Sequence, residues 1–164
     1  MDLYIIRHAW AADRDDRQWP GDDLRPLTDE GKRRFAQVVE KLAGRGVSPQ
    51  AVATSPLVRC RQTAQLLAAG VPDKPELVEL DELRPGSDLE GLLRWTAGQA
   101  RKHERIAWVG HAPDVGRLAA ALIGSPEGQI HFAKGAIAAI RFDGPPTIGG
   151  GELQWLVTAK VLGC

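Results

Sequence analysis

The stretch Leu3-Tyr4-Ile5-Ile6-Arg7-His8-Ala9 constrains this chain more than any other. An apolar run rich in residues that favour extended backbone ends abruptly in an arginine and a histidine. It reads as a buried strand that delivers two cationic side chains to its C-terminal end. In an open α/β sheet that end is where ligands sit. A histidine beside an arginine there suits a nucleophile or base next to an anion clamp. Two solvated polar residues at a strand end would fit this stretch equally well, so the rest of the chain has to decide.

Strands and helices alternate along the chain. Residues 9–27 form a long polar, turn-rich segment, the kind that often carries function directly after a strand. Thr28 reads as an N-cap, with Asp29 and Glu30 in the first turn of an amphipathic helix bearing Phe35, Val38, Val39 and Leu42. Ala51–Thr54 is a short strand, and Ser55-Pro56 is expected to open the second helix. Leu77–Leu80 is a third short strand. Ser87 or Asp88 caps a helix with Leu89, Leu92, Leu93 and Trp95. Ile106–Gly110 is a compact apolar strand that ends at His111, and Pro113 begins another helix. Ala136–Phe142 and Leu153–Val157 suggest an antiparallel closing pair. The alternation argues for a three-layer α/β/α sandwich around a mostly parallel central sheet. No repeat or linker interrupts it, so the expectation is a single domain over residues 1–164.

Charge narrows the partners. Lys+Arg and Asp+Glu are both 21, so bulk electrostatics favours neither nucleic acid nor a membrane surface, and any anion site must be local. The first apolar run is broken by Arg7 and no run is long enough for a membrane span, so a cytoplasmic location is expected. Cys60 and Cys164 stand far apart and outside any metal-ligand spacing, which fits a reducing compartment.

Three strand ends carry related polar residues: Arg7 and His8, then Ser55 with Arg59 one turn into the next helix, then His111. Parallel strands would put all of them on one edge of the sheet. Two histidines, two arginines and helix N-termini, with Ser55 as a further contact, make a phosphate-shaped site. No close histidine pair on one helix face, no carboxylate at ligand spacing and no cysteine cluster accompanies them, so covalent catalysis by a histidine fits better than a metal site. A neutral imidazole can attack phosphorus, and surrounding cations can stabilise the charge of the transferring group.

These residues match a pattern. Arg7-His8-Ala9 resembles the Arg-His-Gly signature of the histidine phosphatase (phosphoglycerate mutase-like) superfamily. Arg25-Pro26-Leu27-Thr28-Asp29-Glu30-Gly31 resembles its Pro-Leu-Thr-x-x-Gly segment. Ser55-Pro56-Leu57-Val58-Arg59-Cys60-Arg61-Gln62-Thr63-Ala64 resembles its Ser-Pro-x-x-Arg-x-x-Gln-Thr-Ala segment, and Val109-Gly110-His111 its late Gly/Ser-His element. The four lie in family order. The short length and the Arg-Pro-Leu-Thr form look most like the SixA-type phosphohistidine phosphatase branch.

The resemblance implies a sheet flanked by helices, no metal and no other cofactor. It implies that His8 is the phosphorylated nucleophile, that Arg7 and Arg59 bind the phosphoryl group, and that His111 completes the pocket. Arg25 would add a phosphate contact. Glu82 falls roughly where larger relatives hold a general acid, and a plain surface carboxylate is an equal reading. Ala9 stands where the family usually has glycine. Trp10 and Trp19, in the loop after His8, are candidates for the pocket mouth. The expected activity is a metal-independent phosphatase acting through a phosphohistidine, with phosphohistidine on a partner protein as substrate. The alternatives are a phosphatase for a small phosphorylated metabolite and a catalytically silent phosphate- or phosphoprotein-binding module.

Overall fold

The structure is a computed structural model and describes residues 1–15 and 17–164. Six strands form one sheet: β1 (Asp2–Arg7), β2 (Ala51–Thr54), β3 (Glu76–Glu79), β4 (Arg105–Gly110), β5 (Ile137–Arg141) and β6 (Glu152–Val157). Their order across the sheet is β3-β2-β4-β1-β5-β6. The pairings among β3, β2, β4 and β1 are parallel. β5 runs antiparallel to β1, and β6 antiparallel to β5. The sheet is therefore mixed, with a parallel half that holds the strand ends of interest.

Four helices cover it: α1 (Asp29–Ala43), α2 (Val58–Gly70), α3 (Leu89–Gln99) and α4 (Asp114–Leu122). Alternation along β1 shows how the layers divide. Tyr4 and Ile6 point to one face and pack with Phe35 and Val39 of α1 and Ala64 and Leu67 of α2. Leu3 and Ile5 point to the other and pack with Leu92 of α3 and Val115, Leu118 and Leu122 of α4. The result is a three-layer sandwich. Its central strand is buried on both faces, which is why β1 reads as an unbroken apolar run rather than an alternating one. Among the described residues, no helix is long and apolar enough to cross a membrane.

Local chemistry explains most boundaries. The Thr28 side chain accepts from the Gly31 amide and starts α1, and Asp88 accepts from Gly91 and starts α3. The start of α2 differs from expectation. Leu57 is extended and serves as the N-cap, while the Ser55 hydroxyl accepts from the Leu57 amide at 3.4 Å. Ser55 and Pro56 thus form a turn ahead of the helix, because the serine side chain satisfies its own loop instead of the helix terminus.

Candidate active site

Register brings the three strand ends level. Arg7 pairs with Gly110, and Thr54 pairs with Val109, so His8, Ser55 and His111 each stand one residue past a paired strand end. The His8 and Ser55 amides extend the ladder, donating to the carbonyls of Gly110 and Val109 at 3.0 Å each. The His8 and His111 rings lie 5.4 Å apart, tilted by 60°.

His8 is buried, and its Nδ1 lies 2.7 Å from the Ala9 carbonyl oxygen. A carbonyl only accepts, so Nδ1 carries the hydrogen and Nε2 keeps its lone pair. Burial, reinforced by the charges of Arg59, His111 and Arg7, pushes the His8 pKa down to about 3, against a partly opposing hydrogen bond to Ala9. Burial and Arg59 likewise lower His111 to about 4. Both rings are neutral near pH 7, and His8 presents an unprotonated nitrogen beside two guanidinium groups.

Those guanidiniums share one property. Arg7 donates from Nη1 to the Phe132 carbonyl at 2.8 Å. Arg59, 4% exposed, donates from Nη1 to the Asp22 carbonyl at 2.7 Å and from Nη2 to Asp22 Oδ2 at 2.8 Å. The Nε of each is buried and has no partner among the described residues. A buried unpaired donor is expensive, and more so when charged. Both belong to arginines whose charge reaches the His8 ring, and guanidinium forks match the paired oxygens of a tetrahedral oxyanion.

The other motif residues hold this arrangement together. The Thr63 hydroxyl accepts from the Ala9 amide at 3.1 Å and donates to the Arg59 carbonyl at 2.7 Å, tying β1 to α2. Gln62 Oε1 accepts from the Leu27 amide at 2.7 Å and ties α2 to the segment before α1. Gly31 abuts the Trp10 backbone so closely that no Cβ would fit. Ser55 is fully buried, its Oγ 2.9 Å from His111 Nε2, and the Cys60 sulfur lies 3.5 Å from the same nitrogen. Ser55 therefore sits behind His111 and reaches a ligand only through that ring. Burial raises the Cys60 thiol to about 12, so it remains a neutral packing group.

Arg25 stands one step back, donating from Nε to Asp22 Oδ1 at 3.0 Å and from Nη1 to the Ala12 carbonyl at 2.9 Å. Glu82 lies on a 3-10 turn, Asp81–Leu83, with its Cγ against Gly91 of α3. The carboxylates whose charge reaches His111 are Asp22 and Asp23. Trp10 packs on α1, its ring 4.1 Å beneath the Arg34 guanidinium. Trp19 is half-buried, and its indole N–H has no partner among the described residues. No group of three or more His, Cys, Asp or Glu side chains comes together at metal-ligand spacing among the described residues. Sequence reasoning passed over Asp22 and took Thr63 as a motif and helix-face residue without a bonding role. Thr63 carried a signal, since a residue four positions after Arg59 shares its helix face; Asp22, three before Arg25 in a turn, carried a weaker one.

The model of the histidine phosphatase superfamily, branch 1, matches residues 3–123. The chain belongs to the histidine phosphatase superfamily. As a histidine phosphatase it is similar to phosphohistidine phosphatase SixA of Escherichia coli, with 32% identity over 160 residues, 94% of this chain and 92% of that protein. It is 36% identical over 144 residues to an uncharacterized protein of Picosynechococcus sp., covering 86% of this chain and 85% of the other. Among solved structures, that of the protein histidine phosphatase SixA complexed with tungstate superimposes with a TM-score of 0.86 at 26% identity, over 99% of each chain. The six-stranded sandwich is thus the phosphoglycerate mutase-like fold, and the protein is a phosphatase of the histidine type.

Proposed function

We propose that this histidine phosphatase works through a covalent phosphohistidine at His8, without a metal, and that its substrate is phosphohistidine on a partner protein. The observation that carries the first part is the pair of buried, unpartnered Nε donors of Arg7 and Arg59 beside an imidazole whose Nε2 is unprotonated.

The chemistry follows from those groups. His8 Nε2 attacks phosphorus, a new N–P bond forms, and the bond from phosphorus to the substrate's imidazole nitrogen breaks. The bonding pair leaves with that imidazole, which takes a proton from solvent. Water then attacks the phosphorus on His8, the N–P bond breaks, inorganic phosphate departs and His8 is restored. Arg7 and Arg59 hold the equatorial oxygens whose charge grows in each step. His111, with Nε2 turned to Ser55, offers Nδ1–H to one of them. Arg25 acts at longer range through its charge. An imidazole leaves without help from a carboxylic acid once it is protonated, so Glu82 has no required part.

Two points support a protein substrate. The relative SixA is named for phosphohistidine. The structural relative is named a protein histidine phosphatase, while its tungstate, a tetrahedral oxyanion, bears only on the phosphoryl site.

The test is a side-by-side panel of phosphohistidyl proteins and common phosphometabolites, with and without a chelator. Turnover of a phosphohistidyl protein that survives the chelator and vanishes in His8→Ala is the expected result. Fast turnover of one metabolite with none on any phosphohistidine would replace the protein substrate. Phosphate binding without turnover would point to a silent binding module.

A further inference from the structure

We propose that Asp22 is a positioning residue that orients Arg59 for phosphoryl binding and anchors Arg25 one step back by dividing its carboxylate between the two. This inference rests on the phosphatase reading above. Asp22 takes one N–H from each terminal nitrogen of Arg59, through its backbone carbonyl at 2.7 Å and its Oδ2 at 2.8 Å. A guanidinium has five N–H groups in a fixed plane. With its far end held in this way, the Nε and the remaining N–H groups are the ones left to meet an oxyanion. The other carboxylate oxygen, Oδ1, receives Arg25 Nε at 3.0 Å. One side chain therefore fixes the angle of one arginine and the distance of a second.

A purely structural brace would look different. The 3-10 turn that carries Asp22, Asp22–Leu24, buries no residue, so the core does not depend on it. The Asp22 side chain is 36% exposed, whereas that of Arg59 is 4% exposed. The contact thus places a balancing charge at the outer end of a buried cation. Burial pushes the Asp22 carboxyl up, and Arg59 and Arg25 more than offset this and hold it below the usual range, so it stays ionised. The turn has a second tie. Arg84 joins Asp23 at 3.0 Å and Asp81 at 2.8 Å, but these groups are exposed and such pairs contribute little. That tie supplies the control.

An asparagine side chain at position 22 has one acceptor oxygen, and its amide nitrogen would face an arginine donor, so only the backbone contact to Arg59 and one of the two side-chain contacts can persist. The experiment compares kcat/KM on para-nitrophenyl phosphate and on a phosphohistidyl protein for wild type, Asp22→Asn, Asp22→Glu, Arg84→Ala, Arg59→Lys and the Asp22→Asn/Arg59→Lys double variant, with unfolding temperatures for all. Asp22→Asn is expected to lower kcat/KM by about 10- to 100-fold, mainly through kcat, at a nearly unchanged unfolding temperature. In the Arg59→Lys background the same change is expected to cost less than about threefold. Asp22→Glu, which keeps both oxygens, should retain more activity than Asp22→Asn, and Arg84→Ala should stay within about twofold of wild type. Full activity of Asp22→Asn, independent and multiplicative losses in the double variant, or an Arg84→Ala loss equal to that of Asp22→Asn would each overturn the proposal. Wild type that turns over neither substrate would instead count against the phosphatase reading on which the proposal stands.

Discussion

The Ser55 hydroxyl lies 2.9 Å from His111 Nε2, and both residues are buried. The Leu57 amide donates to the same hydroxyl at 3.4 Å, so the serine's own hydrogen is free to go to the imidazole. With that hydrogen directed to Nε2, the ring's own hydrogen sits on Nδ1, the tautomer the proposed mechanism uses. Ser55→Ala removes the device that selects this tautomer and leaves only the Cys60 thiol near Nε2. About a tenfold loss of kcat is expected, and imidazole nitrogen chemical shifts should show His111 in a mixture of tautomers. An unchanged kcat with an unchanged tautomer would refute the role.

The same two-histidine arrangement fixes a pH response. In the folded chain His8 titrates at about 3 and His111 at about 4. In the unfolded chain both titrate near about 6.5. Between these values the unfolded state binds more protons, so stability is full above about pH 6.5 and falls as the pH drops toward the folded values. Denaturant unfolding at a series of pH values should show this slope, and His8→Asn should flatten it. In the folded enzyme His8, the proposed nucleophile, stays unprotonated, so the acid limb of kcat/KM should not contain an ordinary histidine titration.

Thr63 offers a test of how the end of β1 is joined to α2. It is fully buried, and its hydroxyl serves both the Ala9 amide and the Arg59 carbonyl. Thr63→Val keeps the volume and strands the Ala9 N–H. A loss of about 1–3 kcal/mol in unfolding free energy is expected, with lower activity at temperatures where the protein remains folded. Stability equal to wild type would show that the hydroxyl bridge carries no weight.

Ala9, the departure from the family pattern, has a simple physical setting. It is fully exposed to the core and not to solvent, packed in the same cluster as Ile6 and Phe35. Its φ is not positive; Lys74 is the non-glycine residue with that geometry among the described ones. The backbone here does not require glycine. Ala9→Gly should therefore cost about 1 kcal/mol by deleting a buried methyl and loosening the chain, and change kcat by less than about twofold. Differential scanning calorimetry together with steady-state kinetics checks both halves.

Much of the fold was legible because strand ends and helix starts have local chemistry. The apolar run of β1, the Thr28 and Asp88 caps and the antiparallel tail can each be read from a few neighbouring residues. The gathering of Arg7, His8, Arg59 and His111 at one edge followed from parallel topology. The insertion of β5 beside β1 was not legible, since strand order depends on which faces the helices cover. Neither was the place of Ser55, whose hydroxyl turns inward to His111 instead of capping α2. Asp22 escaped notice because its partner Arg59 lies far along the chain, and no spacing rule links an exposed turn to a buried helix.

In the proposed mechanism His8 carries the phosphoryl group during turnover. The direct measurement is mass spectrometry of the enzyme quenched in base during steady-state hydrolysis, since N–P bonds of histidine survive base better than acid, followed by localisation within the proteolytic peptides. A phosphoryl group on the peptide containing Arg7 and His8, placed on His8 by fragmentation and missing from Arg59→Lys samples quenched at the same time, is the predicted result. Turnover with no covalent phosphoryl at His8, or with the group on His111, would contradict it.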